Sequence, residues 1–212
     1  TSIYILSNMQ KIKMDFETVL QKAQELGYAE SNPKHDLNGE DVKSKIQILS
    51  SLAFNCFINK SKINLEGINK VDQIDIKNAK ILGYKIKHLG VAELENGKLI
   101  QGVYPCLVKK ESHISNVNDV SNAIIIEGKP IGKFVMQGEG AGPGPTVSAL
   151  VSDICSILKG NINFPFSASQ ANRKKITSLD LSNKIFSSYI RLDVLDKKGV
   201  LSSITRIMSK NQ

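Results

Sequence analysis

The spacing of apolar residues changes once along this chain, near residue 83, and that change constrains the fold more than any other feature. Before it, apolar residues recur at helical spacing in three segments, 15–26, 41–55 and 72–82. After it, the spacing moves toward the two-residue period of strands. Four β-rich runs then follow without a helix between them: 84–89, 99–107, 122–127 and 131–136. Helices followed by strands predict an α+β fold, with a mixed or antiparallel sheet covered by helices.

Turn and cap residues mark the ends of these elements. Asp15 is an N-cap candidate for the first helix, and Gly27 stands where a helix commonly ends. Residues 95–98 include Asn-Gly and residues 128–130 are Gly-Lys-Pro, so both segments are predicted to be hairpin connections. A glycine-rich segment, 138–146, leads into a further predicted helix over 147–158.

The C-terminal part of the chain has a different organisation. Residues 161–186 show no firm periodicity and are predicted to form a linker. Residues 189–195 alternate apolar and polar like a half-buried strand, and an amphipathic helix begins at Val200. One strand and one helix cannot bury a core of their own. We therefore expect a main domain over 1–160 and an incomplete second domain over 187–212.

Composition is that of a globular protein with a sizeable core. The 212 residues are 41% hydrophobic, which is enough to fold without a metal or a disulfide. No window approaches about 18 uncharged apolar residues, and no secretory signal pattern is present. Cys56, Cys106 and Cys155 each sit among apolar neighbours, so they are expected to be reduced core thiols of a cytoplasmic protein. The chain opens without Met inside an apolar stretch, so we expect a fragment.

A net charge of +8 raises the question of nucleic-acid binding, but the kind of basic residue argues against it. Only three of the 28 basic residues are Arg, the type that favours bidentate recognition of bases and phosphates. The lysines are dispersed along the chain, Trp is absent, and aromatic residues make up 6%. The sequence therefore predicts neither a phosphate-binding patch nor a stacking platform.

An acidic loop between the first two helices is the strongest candidate for chemistry. It brings Glu30, Asp36, Asp41 and Lys45 within sixteen positions, with Asp41 and Lys45 on one helix face. In the functional interpretation, the carboxylates hold an ammonium group while the lysine moves a proton beside a partly apolar wall. From the residues alone, a helix cap and a surface ion pair worth on the order of a few tenths of a kcal/mol are the favoured alternative.

The other candidate features carry weaker signals. Residues 138–146 could let backbone N–H groups approach an anion, but a tight strand-to-helix turn explains the same glycines equally well. His35, His88 and His113 lack ligand spacing with Cys, Asp or Glu, so no metal site is expected. His88 is expected to be a core or surface residue, whereas His35 lies in the acidic loop, within reach of a substrate.

Several motifs, taken in order, resemble homoserine dehydrogenase. They are Tyr4-Ile-Leu, residues 23–30, residues 36–41 with Lys45, Gly140-Ala-Gly142, Pro145-Thr146 and Ser148-Ala149, and the resemblance extends from Thr1 to about Leu158. Residues 189–201 resemble the start of an ACT-type regulatory domain, although Lys198 stands where such turns often have Pro. The expected fold is therefore a homoserine dehydrogenase catalytic and dimerisation domain, followed by a truncated ACT-like βα unit.

The resemblance implies an activity and a set of residues. Members reduce aspartate 4-semialdehyde to homoserine with NADPH or NADH, in threonine, methionine and isoleucine biosynthesis. By this resemblance Lys45 is catalytic, and Glu30, Asp36 and Asp41 bind the substrate. Three residues of the glycine-rich segment would approach the cofactor, namely Gly140, Ala141 and Gly142.

The resemblance also shows what this sequence does not contain. The upstream nucleotide-binding half, a second lysine associated with catalysis and the backbone of a possible sodium site are missing, so we expect the chain alone to be inactive. Asn32 stands where relatives often have an acidic residue. The β-rich region 84–136 is expected to pair subunits in a homodimer or higher homo-oligomer. The alternative is a non-catalytic protein of this fold that senses amino acids or binds a partner.

Overall fold

The computed structural model describes residues 1–57, 63–140, 142–161, 166, 168–179 and 186–210. Its first part is helical: α1 (Ser2–Ile12), α2 (Phe16–Glu25), the short α3 (Lys34–Leu37) and α4 (Glu40–Phe54) precede the first strand. Asp15 caps α2, because its carboxylate accepts the Thr18 N–H at 2.8 Å. The helices predicted over 15–26 and 41–55 are thus observed with nearly the expected bounds.

Two sheets follow. A two-residue strand β1 (Asn64–Leu65) lies parallel to β3 (Lys98–Lys109), which pairs antiparallel with β2 (Tyr84–Glu95). A separate antiparallel pair is formed by β4 (Ser121–Gly128) and β5 (Gly132–Glu139). Helix α5 (Gln73–Ile81) precedes β2 and packs on it, as do α4 and α1. The observed class is α+β with a mixed sheet and covering helices, as the sequence predicted.

The hydrophobic core lies between α1, α2, α5 and β2. Its buried members are Ile5, Leu6, Met9, Val19, Ile68, Ile76, Ala79 and Ile86. Three of them belong to α1, a helix that the periodicity argument did not predict because polar residues interrupt its apolar stretch. The start of the chain therefore contributes directly to the core.

The segment predicted as a linker makes contacts with the main domain in its described part. Lys174 forms a parallel bridge with Cys56, and Ser178 forms one with Leu99. The Leu99 N–H donates to the Thr177 carbonyl at 3.0 Å. These contacts attach residues 174–178 to the end of α4 and to the start of β3.

The C-terminal part differs from its prediction. The strand expected over 189–195 is not formed, and described residues 186–198 contain no strand. A strand needs a neighbouring backbone, whereas the side chains of Tyr189 and Arg191 bond to Asp75 on α5. Helix α7 (Val200–Lys210) is present, as predicted. The ACT-like βα unit is therefore not confirmed, and the boundaries of the second domain remain a prediction.

Helix α6 (Pro143–Leu158) begins four residues before its predicted start and presents apolar side chains to solvent. The exposed set is Val147, Leu150, Val151, Ile154, Ile157 and Leu158. Cys155 is also exposed, so its prediction as a core thiol was wrong, while Cys56 is buried and Cys106 is half-buried. The error arose because apolar sequence neighbours do not guarantee that a helix is covered. Among the described helices, none is long and apolar enough to cross a membrane.

Candidate active site

An acidic cleft of about 460 Å³ lies where α3 meets the first turn of α4. Four carboxylates and three other polar residues line it: Glu30, Asn32, His35, Asp36, Glu40, Asp41 and Ser44. Among these described lining residues there is no lysine or arginine. The concentration of negative charge favours a ligand that carries a cationic group.

Gly39 fixes the direction in which α4 leaves the loop. Its φ of +86° lies in the left-handed region, which glycine adopts without strain. A Cβ at this position would come within 3.0 Å of side-chain atoms of Leu65 and Val103 and 3.1 Å of His88 Cε1. The loop therefore rests directly on β1, β2 and β3, and the sheet positions the carboxylates of Glu40 and Asp41.

Asp36 is held from the other side by the start of α1. Its Oδ2 lies 2.5 Å from the Thr1 hydroxyl, and its backbone carbonyl accepts the Ser2 hydroxyl at 2.9 Å. The next carbonyl, that of Leu37, accepts the Ile68 N–H at 2.9 Å. Residues distant in sequence thus fix the C-terminal end of α3, and Asp36 faces the cleft from a supported position.

Lys45 lies at the edge of the acidic cleft and is not one of the residues that line it. Its Nζ donates to Asp41 Oδ2 at 2.7 Å, with the two side chains 62% and 44% exposed. The structure therefore brings Asp41 and Lys45 together and places Glu30, Asp36 and Asp41 around one cleft. An ion pair this exposed contributes on the order of 0–1 kcal/mol to stability.

Three lining residues were not predicted as site residues, namely Asn32, Glu40 and Ser44. Glu40 and Ser44 precede and follow Asp41 on the same face of α4, and Glu40 also pairs with Lys43 at 3.0 Å. The i, i+1 and i+4 spacing of 40, 41 and 44 is a signal that could have identified them. His35 lines the cleft, in line with its place in the acidic loop.

His88 belongs to the core, as its strand pattern indicated. It is 7% exposed, and its Nε2 lies 2.9 Å from the Glu66 carbonyl oxygen. Burial lowers the pKa of this imidazole, so it is neutral at physiological pH. Through its contact with Gly39 it supports the acidic loop.

The glycine-rich segment has two different local explanations. A Cβ on Gly140 would lie 1.4 Å from Asn122 Nδ2, so a side chain there would displace Asn122 on β4. Gly142 has a φ of +111°, and a Cβ there would meet only Pro145 Cδ, at 4.0 Å. Ala141 lies outside the described residues. The backbone at Gly142 is therefore open to a ligand, whereas Gly140 serves internal packing.

A buried lysine is the polar feature that sequence reasoning missed altogether. Lys87 on β2 is 3% exposed, and its Nζ donates to the Val117 carbonyl and, at 3.0 Å, to Asn118 Oδ1. Burial, together with a smaller effect of the nearby charge of Lys85, lowers the pKa of this ammonium to about 8. In the described ranges, no group of three or more His, Cys, Asp or Glu side chains is arranged to hold a metal ion.

Comparisons with known proteins agree on one family. The family model described as homoserine dehydrogenase matches residues 1–155. Homoserine dehydrogenase of Helicobacter pylori is 39% identical over 213 residues, and that of Pseudomonas aeruginosa is 34% identical over 218. These alignments cover 100% and 99% of this chain and 50% of each relative. The crystal structure of a homoserine dehydrogenase from Thiobacillus denitrificans superposes with a TM-score of 0.85 at 31% identity, covering 99% of this chain and 50% of that one. The chain thus spans about half the length of the curated relatives it matches.

Proposed function

Because the chain belongs to the homoserine dehydrogenase family, we propose that it supplies the substrate-binding part of an enzyme that interconverts L-aspartate 4-semialdehyde and L-homoserine. One observation carries this proposal. Glu30, Asp36 and Asp41 line a single acidic cleft, and Lys45 is paired with Asp41 at its edge. These four residues are the ones that match the family motif in the sequence.

The carboxylates bind the ammonium group of the substrate. Both the aldehyde and the alcohol are amino acids, and an ammonium surrounded by carboxylates gains charge-assisted hydrogen bonds. Because Ser2 and Ile68 hold the backbone carbonyls of Asp36 and Leu37, the Asp36 carboxylate is oriented before the substrate arrives. Less entropy is then lost when the substrate is bound in a reactive geometry.

Lys45 donates the proton in the reductive direction. In the reductive direction a hydride adds to the aldehyde carbon, and the carbonyl oxygen takes one proton from the Lys45 ammonium, giving the alcohol and a neutral amine. The amine regains a proton from water, to which this side chain is 62% exposed. Before the transfer, the ammonium stabilises the negative charge that develops on the oxygen. Asp41 keeps the amine at the edge of the cleft through its 2.7 Å contact.

The reduced cofactor, NADPH or NADH, would supply the hydride when bound. Gly142 fits an approach to such a cofactor, since its backbone is open and a side chain there would occupy the space in front of it. Pro143 and Pro145 remove two N–H donors from the first turn of α6, so this helix start offers few hydrogen bonds to a phosphate. We assign Gly142, with its neighbours Gly140 and Ala141, to contact with the cofactor and not to its main anchoring.

The remaining parts of the proposal concern organisation. We assign residues 1–160 to the catalytic domain, 161–186 to a linker and 187–212 to a regulatory domain of ACT type. We also assign the region 84–136 to subunit pairing in a homodimer. We also assign the protein to the cytoplasm, because the proposed substrate is a small soluble metabolite.

The test is the activity of the full-length gene product, followed by NADPH absorbance with aspartate 4-semialdehyde. Lys45→Ala is expected to lower kcat by about 10²- to 10⁴-fold, the usual contribution of a general acid, or about 3–5 kcal/mol. Lys77→Ala removes an exposed lysine from α5 and serves as the matched control, with activity close to wild type. Near-wild-type turnover of Lys45→Ala would exclude its role in proton transfer.

A further inference from the structure

The segment that follows the linker is attached to α5 by three side-chain contacts. Asp75 Oδ1 accepts the Tyr189 hydroxyl at 2.9 Å and Arg191 Nε at 2.8 Å. Asn78 Nδ2 donates to the same Tyr189 oxygen at 3.0 Å. Residues more than 100 positions apart are joined here, although no secondary structure links them.

The Asp75 side of this contact is shielded from water, and the Arg191 side is partly exposed. The side chain of Asp75 is 10% exposed, and that of Arg191 is 28% exposed. Burial by itself raises the pKa of the Asp75 carboxyl, but hydrogen bonds from the Asp72 N–H, Tyr189 and Arg191 outweigh it and hold the pKa below its usual value. The carboxylate is therefore charged at neutral pH and holds the guanidinium. A partly buried ion pair with additional hydrogen bonds fixes geometry far better than an exposed one.

Asp75 is also part of the N-terminus of α5. Its Oδ2 accepts the Asp72 N–H at 2.9 Å and completes a capping box. The neighbouring Gln73 donates from Nε2 to the carbonyl of Met9, at 3.1 Å, and to that of Met14. The first turn of α5 therefore holds the C-terminal end of α1.

The other end of α1 reaches the acidic cleft. Ser2 and Thr1 bond to the backbone and the carboxylate of Asp36, as described above. Ile5, Leu6 and Met9 of α1 pack in the same buried cluster as Ile76 and Ala79 of α5. The two helices share one core, so a shift of α5 would be passed to α1 and from there to Asp36.

We propose that Asp75 is a positioning residue through which the segment 189–193 sets the orientation of Asp36 in the acidic cleft. Its role in substrate affinity rests on the proposed function. The bonded contacts run from Arg191 to Asp75, through Gln73 to α1, and from Ser2 to Asp36. A displacement of the segment 189–193 thus has a direct mechanical route to the acidic cleft.

The first test is kinetic and uses the full-length gene product. Arg191→Ala is expected to raise KM for aspartate 4-semialdehyde about threefold to tenfold, the size of effect seen when a coupling network is altered, with KM for NADPH unchanged. Arg191→Lys, which keeps the charge, is expected to restore part of the affinity. Lys198→Ala is the matched control, since it removes an exposed charged side chain that lies outside the segment 189–193. A lower melting temperature with unchanged KM would mean that the contact is merely structural, and would overturn the proposal.

The second test does not require activity. Hydrogen–deuterium exchange should be faster in residues 1–7 and 34–38 for Arg191→Ala, and also for Tyr189→Phe, which removes the second bond to Asp75. The control Lys198→Ala should leave exchange in both segments unchanged. If the wild-type protein showed no homoserine dehydrogenase activity, the proposed function would fail while exchange would still decide the coupling. Unchanged exchange in both segments would refute it.

Discussion

Lys87 provides the most quantitative prediction, because its burial makes stability depend on pH. Below about pH 8 the amine is protonated in the folded and the unfolded state alike, so it contributes no pH dependence. Between about 8 and its ordinary value of 10.5, only the unfolded chain holds the proton. The free energy of unfolding therefore rises with pH through this window, and the full rise is about 3 kcal/mol.

The Lys87→Met variant lacks the titrating amine but keeps a side chain of similar length. At neutral pH two effects oppose each other, since the variant loses a buried charge but leaves the Val117 carbonyl and Asn118 Oδ1 without their donor. The clearer signature is the pH dependence. From about pH 7 to about pH 9.5, wild-type stability should increase by about 2 kcal/mol more than that of the variant.

The measurement is urea unfolding of wild type and Lys87→Met at a series of pH values, with the two curves subtracted so that other titrating groups cancel. Because burial is the largest cause of the shift, the difference should change little at high salt. Parallel stability curves across this window would show that Lys87 titrates normally in the folded protein. The reasoning from its burial would then be wrong.

Two further predictions follow from close packing and from exposure. In Gly67→Ala the new Cβ would lie 2.2 Å from the Leu37 carbonyl oxygen. This variant should therefore be destabilised by about 1–3 kcal/mol in thermal unfolding, and its KM for the substrate should rise. Wild-type values for both quantities would contradict this prediction. A thiol reagent should modify the exposed Cys155 first, because burial raises the pKa of the Cys56 thiol and raises that of Cys106 to about 11. Rapid labelling that persists in the Cys155→Ser variant would show that another cysteine reacts first.

The sequence predicted the parts of the fold that local patterns determine. Helix α2 has a regular apolar stripe and an aspartate cap, so its bounds followed from its own residues. The hairpin of β2 and β3 followed from Asn96-Gly97 between two β-rich runs. Helix α1 was missed because its burial depends on Ile76 and Ile86, which lie far along the chain. The predicted strand at 189–195 failed for a related reason, since a strand exists only where another backbone pairs with it.

The candidate site was predictable to the extent that it is one continuous segment. Residues 30–45 carry both the motif and the cleft, so the carboxylates were found together. The support of the cleft was not predictable, because Thr1, Ser2 and Gly39 act through contacts with distant residues. The burial of Lys87 was not predicted either, because a lysine in an alternating strand pattern is normally expected to face solvent.

The close packing of Gly39 against Val103 has a consequence for folding during translation. During translation the acidic loop leaves the ribosome tunnel more than sixty residues before the strand that supports it. At a synthesis rate of about 5–20 residues per second, the loop waits for several seconds without its contact to β3. The nascent chain therefore carries the family motif long before it has a binding site, and ligand capture by stalled chains should begin only when β3 has emerged.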